Sequence, residues 1–458
     1  MKQIAVALLL GISFFAMPSL SPAADKKEKT ITRELYQDLE LFAKILHHVK
    51  SDYVEDVKDK ELIEGSIRGM LTALDPHSLF MPAEVYRELR VDTEGKFGGI
   101  GIEVTSKDNF LTVVAPLEGT PADRARIRAG DRILRINKTP AKGMSLTDAV
   151  KMMRGERGSR ITLVLQREGS KPFQVTLVRD LIRIQSVRKE LVDKRYGYVR
   201  VTSFQEGTAK ELDRALRELE KKVPGGLAGL VLDLRNNPGG LLDEAVEVAD
   251  QFLESGTIVV TKSRHNKEVD KKEARREKTH PAYPLIVMVN GGSASAAEIV
   301  AGALQDHRRG ILLGTSTFGK GSVQTVYELG DGSALKLTIA KYYTPSGRSI
   351  QAQGIKPDIE VGEVKPEMIA STATTPRERV VREKDLKGHL EGGSPKGEEE
   401  DSEKEAETSP KGGSPKGGSP KGKKGKATPE QKPEDYQKET ALNYIKSWDT
   451  FQSKGRLR

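Results

Sequence analysis

Between residues 175 and 362, short apolar runs alternate with amphipathic segments of helical length, and this alternation restricts the fold more than any other feature of the chain. An apolar run followed by a helical segment is typical of βαβ units, whose strands pair in parallel within one sheet. The runs are 198–201, 230–234 and 285–289, and the helical segments are 208–222, 241–253 and the one after Ser295. We therefore expect an α/β core with a mostly parallel sheet over residues 171–362.

The rest of the chain differs from this core in composition and in the spacing of its apolar residues, and these differences predict further units. Residues 24–94 carry apolar side chains at helical spacing and predict an N-terminal helical region. Residues 95–170 combine glycines, short strands and one helical segment, which is typical of a small half-open barrel. Residues 363–434 repeat Ser-Pro-Lys-Gly between charged runs, a composition that favours a disordered, flexible linker. Helical spacing returns at 435–458, where we expect a docked helix.

The first 23 residues have the pattern of a secretion signal. Lys2 precedes an apolar run from Ile4 to Met17, and small residues around Ala23 suit a cleavage site. The alternative is an uncleaved membrane anchor, although the run is shorter than the roughly 20 residues that a spanning helix needs. We expect an exported protein, periplasmic if the signal is removed and membrane-anchored if it is not.

The composition excludes several classes of chemistry. Because the chain has no cysteine, it has no disulfide, thiol nucleophile, thiolate metal site or lipid-modified cysteine. No basic stretch is interleaved with aromatic side chains as single-strand nucleic-acid binding requires. We expect neither a nucleic-acid partner nor a metal, and we interpret the net charge of +9 as solvation with weak attraction to anionic membrane surfaces.

The segment from Asn290 to Glu298 joins an apolar run to a helical segment through two glycines and other small residues. Such a bend can present a serine hydroxyl beside free backbone N–H groups at a helix start, the arrangement that acyl transfer needs. Ser295 is the candidate nucleophile. The alternative is an ordinary helix start, because Ser295 and Glu298 also match a capping box.

A serine nucleophile needs a base, and none of the seven histidines lies in a constrained motif. Lys320, between two glycines, is the alternative base, provided that burial lowers its pKa and leaves a free amine. The segment from Gly314 to Lys320 also resembles a phosphate loop. Nucleotide binding is disfavoured, because Gly321 replaces the Ser or Thr that binds magnesium and a strand is expected to follow.

Two further glycine-rich turns are candidate binding sites. Gly239 and Gly240 follow an apolar run, so their amides and that of Ala296 could receive an oxyanion at the sheet edge. The alternative is a plain βα loop. The turn at 97–101 precedes an alternating strand, so its amides could hold a peptide carboxylate while the strand edge pairs with the peptide. A simple hairpin is the alternative there.

Together these segments resemble the carboxyl-terminal processing peptidases, or tail-specific proteases, a family of serine proteases with a Ser-Lys catalytic pair and an inserted PDZ domain. The resemblance covers residues 35–361. Five motifs carry it in the family's order: Leu74-Asp-Pro-His-Ser78, Gly98-Gly-Ile-Gly101 with Ala129-Gly-Asp131, Arg235-Asn-Asn-Pro-Gly-Gly240, Ser293-Ala-Ser295 and Phe318-Gly-Lys-Gly321. One departure is Ala297, where the family commonly has a third serine, and it affects the support of the helix start.

The resemblance implies a crotonase-like core and roles for particular residues. It makes Ser295 the nucleophile, Lys320 the general base and Gln324 the residue that orients the lysine. Because Gln324 follows Lys320 by four residues on a strand, the chain must curve near Gly321 for the two to meet. The implied oxyanion donors are the backbone amides of Gly239 or Gly240, and of Ala296.

The resemblance also implies a PDZ domain at 95–170 that binds protein C-terminal tails, with no cofactor. Its peptide groove would be formed by residues of the glycine turn, the next strand and the internal helix: Gly98, Gly99, Ile100, Gly101, Ile102, Val150 and Met153. An adaptor protein and a homo-oligomeric assembly are further expectations. The domain would tether the substrate and could also act as a switch. The competing expectation is a non-catalytic, peptide-binding scaffold.

Overall fold

The computed structural model describes residues 33–107, 109–363, 381–392 and 435–455. The predicted signal segment and most of the predicted linker lie outside these residues. The described chain divides into two compact units, one that ends at Ser66 and one that begins at Ile67. None of the helices in these ranges has both the length and the apolar character needed to cross a membrane.

The first unit contains α1 (Arg33–Asp52) and the first half of α2 (Asp59–Thr72). Leu39 and Phe42 belong to an apolar face of α1, yet no residue of this helix is buried. Lys50 near the end of α1 pairs with Asp59 at the start of α2, at 2.8 Å. Helices are therefore present where the apolar spacing predicts them.

The second unit contains the remaining described elements. As far as residue 183 they are β1 (Leu79–Met81), α3 (Ala83–Glu94), β2 (Lys96–Gly99), β3 (Ile102–Lys107), β4 (Phe110–Pro116), α4 (Pro121–Arg124), β5 (Arg132–Ile136), β6 (Thr139–Pro140), α5 (Leu146–Met153), β7 (Arg160–Gln166), β8 (Phe173–Val178) and β9 (Asp180–Arg183). They are followed by β10 (Val187–Val192), β11 (Tyr196–Val201), α6 (Thr208–Lys222), β12 (Gly229–Asp233), α7 (Leu242–Asp250), β13 (Thr257–Lys262), β14 (Glu268–Glu273), β15 (Leu285–Val289), α8 (Ala296–Asp306), β16 (Ile311–Gly314), β17 (Ser322–Glu328), β18 (Ala334–Tyr343), β19 (Ile359–Glu360) and α9 (Tyr436–Gly455). Short 3-10 turns lie at Arg264–Asn266, Arg276–Lys278 and Glu383–Asp385.

The core is a six-stranded sheet in the order β10-β11-β12-β15-β16-β19, in which only β10 is antiparallel to its neighbour. Alternate residues along a strand face opposite sides of the sheet. Leu230 and Leu232 of β12 pack with α6, α7 and α8, whereas Val231 faces the side that α9 covers with Leu442 and Ile445. The predicted α/β core with a mostly parallel sheet is confirmed.

A second sheet adjoins this core. Its central strand, β18, pairs with β17 along one edge and with β1 and β13 along the other, and β14 extends it beyond β13. The charged stretch from Arg264 to Thr279, expected to be a surface segment, thus contains a strand of this sheet, although most residues of β14 are exposed.

The domain expected at 95–170 is an antiparallel sheet in the order β3-β4-β5-β7-β8, closed over its own apolar core by α5. The sheet continues to Val178, beyond the expected end, because β8 pairs with β7 along its whole length. The chain enters and leaves the domain through β2 and β9, which pair with each other. This pair ties the two domain ends together at one point beside the core.

Candidate active site

Three neighbouring parallel strands, β12, β15 and β16, lead into the loops that hold the predicted catalytic residues. Their carboxyl ends lie at the same sheet edge, where α/β proteins bind ligands. The loops are also joined directly: the Ala294 amide donates to the Asn237 carbonyl at 2.9 Å, and the Phe318 amide donates to the Ser293 carbonyl at 3.0 Å. The sheet therefore brings the predicted oxyanion, serine and lysine loops into one site.

Ser295 is the last residue before α8 and has a strained backbone, with φ of 55° and ψ of −114°. Such a conformation costs about 1–3 kcal/mol and persists only where surrounding contacts enforce it. Glu298 accepts from the Ser295 amide at 2.8 Å, which is one half of a capping box, but the serine hydroxyl makes no cap hydrogen bond. The strained turn thus leaves the hydroxyl free of the role that the capping alternative assigns to it.

Glu298 connects the serine turn to the lysine loop. One carboxylate oxygen accepts from the amides of Ser295 and Lys320, at 2.8 and 2.9 Å. The other accepts from the Thr317 hydroxyl and the Gly319 amide, at 2.5 and 2.7 Å. Burial raises the pKa of this fully buried group to about 7, even though its hydrogen-bond donors favour the carboxylate.

Lys320 lies in an environment that favours the free amine. Burial and the cation of Lys336 lower the pKa of Lys320, while the carboxylates of Glu383, Glu298 and Asp75 act in the opposite direction. An amine whose pKa is lowered in this way can act as a general base. The Lys320 amine and the Ser295 hydroxyl are not hydrogen-bonded to each other in this structure.

Gln324 lies on β17 and does not hydrogen-bond to Lys320. Its side-chain nitrogen donates to the hydroxyls of Ser322 and Thr338, at 2.9 and 3.3 Å. Thr338 in turn donates to Asp75, which lies in one of the predicted motifs, at 3.1 Å. A register shift between Val323 and Gln324 bends the strand close to where curvature is expected. Gln324 therefore belongs to a hydroxyl–carboxylate network beside the lysine.

The two glycines proposed as oxyanion donors differ in their surroundings. The Gly239 amide is buried and donates to the Asn237 side chain at 2.9 Å. Gly240 is exposed, and within the described residues neither its amide nor that of Ala296 meets an acceptor. A methyl group on Gly240 would lie 2.2 Å from the Phe204 carbonyl oxygen, so only glycine fits there. Gly240 and Ala296 are thus the pair with free amides.

Three histidines of the second unit are engaged away from Ser295. His77 contacts Glu383, His280 lies between Glu220 and Asp213, and His307 contacts a backbone carbonyl. No histidine there hydrogen-bonds to the serine, so this arrangement gives no support to a His-dependent triad. In the described ranges, no group of three or more His, Asp or Glu side chains is gathered to hold a metal.

The domain at 95–170 contains a groove of about 260 Å³ between β3 and α5. All but one of the predicted peptide-binding residues line it: Gly99, Ile100, Gly101, Ile102, Val150 and Met153. Gly98 does not, because its backbone packs on Gly155, whose carbonyl oxygen would lie 2.1 Å from an added methyl group. At one end of the groove, the amides of Ile100 and Gly101 meet no acceptor in the described chain.

Arg154 is a groove residue that the sequence reasoning missed. Its guanidinium stacks on the Phe97 ring at 4.8 Å, and its Nε atom is buried without a hydrogen-bond partner in the described chain. It directly follows Met153 at the end of α5, which is the one sequence signal that could have identified it. A guanidinium whose Nε atom is buried and unpaired, beside free amides, suits a carboxylate.

Comparison with known proteins identifies the domains. Residues 195–361 match peptidase family S41, residues 112–167 match a PDZ domain, and residues 11–85 match the N-terminal domain of the activating protease CtpB. The chain is 45% identical over 380 residues to a carboxy-terminal-processing protease of Bartonella bacilliformis, covering 82% of this chain and 86% of the relative. It is 40% identical over 320 residues to the carboxy-terminal processing protease CtpA of Bacillus subtilis, covering 69% and 67%.

A solved structure, the photosystem II D1 C-terminal processing protease, is 35% identical with a TM-score of 0.42 and covers 70% of this chain and 86% of that one. The α/β core, with its serine-bearing turn, and the PDZ domain define a serine-type peptidase of family S41. Within that class, the chain belongs to the carboxy-terminal processing proteases. The predicted family is confirmed.

The Glu298 bridge can be tested by Glu298→Gln. The amide keeps the shape but turns an N–H group toward other donors, so we expect the free energy of unfolding to fall by about 2–4 kcal/mol. Because the serine and lysine loops lose their common acceptor, kcat should fall about 100-fold. Asp306→Asn, at the other end of α8, breaks an ion pair with Arg348 and is the control. Equal kcat values in the two variants would show that Glu298 does not position the site.

Proposed function

We propose that this chain is an exported endopeptidase that captures the C-terminal tail of a protein in its PDZ groove and cleaves it with Ser295 and Lys320. The observation that carries the proposal is the shared acceptor: one oxygen of Glu298 receives both backbone amides, so the two loops are held together. Neighbouring strand ends and the lowered pKa of Lys320 add independent support. Export is inferred from residues 1–23 alone.

In the proposed reaction the Ser295 hydroxyl attacks the peptide carbonyl carbon and its proton passes to the Lys320 amine. The carbonyl oxygen becomes an oxyanion that accepts from the amides of Gly240 and Ala296. Collapse of this intermediate expels the new amino terminus, which takes the proton from the Lys320 ammonium. A water molecule, deprotonated by the same amine, then hydrolyses the acyl-enzyme.

The reaction requires the serine and lysine side chains to approach each other when substrate binds. Catalytic hydrogen bonds are often longer in the free enzyme than in the substrate complex. Gln324 can orient the lysine in that state, since its side-chain oxygen accepts no hydrogen bond within the described residues while its nitrogen is engaged. If binding of a tail in the PDZ groove drives this approach of serine and lysine, the PDZ domain acts as a switch as well as a tether.

The nucleophile and base are tested by Ser295→Ala and Lys320→Ala. Both variants should fold normally and lose cleavage of an unfolded protein by at least about 1,000-fold, because each removes a member of the reacting pair. The control is Lys356→Ala, an exposed lysine outside the site. Cleavage that persists in Ser295→Ala would favour the scaffold alternative with a contaminating protease, and full activity in a folded Lys320→Ala protein would contradict the mechanism.

The pH dependence tests the electrostatics of Lys320. Removing the Lys336 cation by Lys336→Gln should raise the pKa of Lys320. Because only the free amine is a base, the acid limb of the kcat/KM profile should then move to higher pH. Lys356→Gln removes an exposed charge and should leave the limb in place. A limb that is unchanged, or moves to lower pH, in Lys336→Gln would contradict this account.

The PDZ groove is tested with fluorescent peptides on the Ser295→Ala background. Arg154→Gln should weaken binding of a free-carboxylate peptide about 10-fold or more, the value of a hydrogen bond to a charged group. An amidated peptide should bind weakly to both proteins. The control Arg157→Gln removes an exposed arginine that pairs with Asp180. Equal binding of amidated and free peptides would exclude carboxylate capture at this groove.

A further inference from the structure

Residues 381–392 lie beyond the part of the chain that matches the peptidase family, which ends at residue 361, yet they pack on the loop that bears Lys320. The Glu383 amide donates to the Phe318 carbonyl at 3.2 Å. The Glu383 side chain points inward and is fully buried. A buried carboxylate is costly unless several donors surround it, so its contacts explain why it lies there.

Two donors from distant parts of the second unit satisfy the Glu383 carboxylate. The His77 Nε2 atom lies 2.8 Å from both oxygens, and the Gln351 side-chain nitrogen donates to one of them at 2.9 Å. The oxygen of Gln351 in turn accepts from the Gly321 amide at 3.0 Å. Glu383 thus reaches the residue after Lys320 through a single side chain.

The lysine loop is consequently held from two directions. Glu298 accepts the amides of Gly319 and Lys320, and the Glu383–Gln351 pair fixes the Phe318 carbonyl and the Gly321 amide. The Gly319 and Lys320 amides are therefore bonded directly to the buried Glu298 carboxylate, and the Gly321 amide is linked to the buried Glu383 carboxylate through Gln351. Movement of either anchor would displace the amine from the serine.

Glu383 also acts on the lysine through its charge. Its carboxylate favours the protonated form and raises the pKa of Lys320, while Lys320 lowers the pKa of Glu383. The other charged or titratable groups around this pair are Lys336, Glu298, Asp75 and His77. Lys336 lowers the pKa of Lys320, whereas Glu383 and the other carboxylates raise it, so the two kinds of group have opposite effects on the base.

We propose that Glu383 is a positioning residue for Lys320, supplied by a segment outside the family core and acting through Gln351 and the Phe318 carbonyl. The inference rests on the proposed function, because it assumes that Lys320 is the base. A merely structural anchor would change stability alone. A positioning residue changes kcat and the pH at which the base becomes active.

The test compares two variants in the full chain. Glu383→Ala removes the charge and the side-chain contacts with Gln351 and His77 but keeps the backbone bond to Phe318, whereas Glu383→Gln removes the charge and keeps the shape. The control is Asp385→Asn on the same turn, an exposed carboxylate that accepts from the Arg382 amide. For each folded variant, kcat, KM and the pH profile of kcat/KM are measured on one peptide substrate.

We expect kcat of Glu383→Ala to fall roughly 10- to 100-fold with little change in KM, because the loop loses an anchor. Glu383→Gln should recover most of kcat, but its acid limb should move to lower pH, because loss of the carboxylate lowers the pKa of Lys320. Asp385→Asn should match the wild type. If Glu383→Ala fails to fold, the pH profile of kcat/KM measured for Glu383→Gln tests the inference by itself.

An acid limb of Glu383→Gln that coincides with that of Asp385→Asn would overturn the inference, as would wild-type kcat in folded Glu383→Ala. Either result leaves the proposed function intact when Ser295→Ala is inactive in the same assay. Cleavage that survives Ser295→Ala instead defeats the proposed function itself. The two failures are therefore distinguishable within one set of measurements.

Discussion

The carboxylate of Glu298 is the contact on which the proposed catalytic arrangement depends. A buried charge is disfavoured by several kcal/mol, and here the opposing interactions come from donors on two separate loops. Folding can satisfy Glu298 only by bringing the serine turn and the lysine loop together. The same contact enforces the strained backbone of Ser295, since its amide must point at the carboxylate.

Parts of the chain that are distant in sequence from Ser295 and Lys320 stabilise this arrangement. On the oxyanion side, Arg235 pairs with Asp233 and with Asp435 at the start of α9, at 2.8 and 2.7 Å, and also bonds Gln437. On the lysine side, the buried carboxylate of Glu383 anchors the loop. The active site is thus bounded by segments that lie after the family core in sequence. One segment contributes the buried carboxylate of Glu383, and the other contributes the exposed carboxylate of Asp435 together with the buried amide of Gln437.

The fold could be predicted because its signals are local. The apolar runs and helical spacing specify the strands and helices, and parallel pairing brings the ends of β12, β15 and β16 to one edge. Ser295 and Lys320 lie in glycine-framed turns after those strands, so both could be identified as candidates. The capping-box pattern also identified Glu298, but only as a partner of its own helix start. Its contacts with the lysine loop join residues about twenty positions apart in the chain, and no periodicity in the sequence predicts them.

Other features depend on side-chain contacts that the spacing of residues in the sequence does not predict. The choice between Gly239 and Gly240 depends on the Asn237 side chain, which occupies the first amide and leaves the second free. The present partners of Gln324 depend on a hydroxyl from β18. Glu383 lies in a short polar stretch with few apolar residues, where the sequence predicts no packed structure. These are tertiary contacts, and only the assembled fold reveals them.

The most direct test of the account is a crystal structure of the enzyme with a peptidyl boronic acid, which forms a tetrahedral adduct with a serine nucleophile. We predict a bond from boron to the Ser295 oxygen and a boronate oxygen within about 3.2 Å of the Gly240 and Ala296 amides. The Lys320 amine should lie within about 3.2 Å of the Ser295 oxygen, with Glu298 still bridging the two loops. An adduct with Lys320 out of reach of Ser295, or with the Glu298 bridge broken, would contradict the central claim.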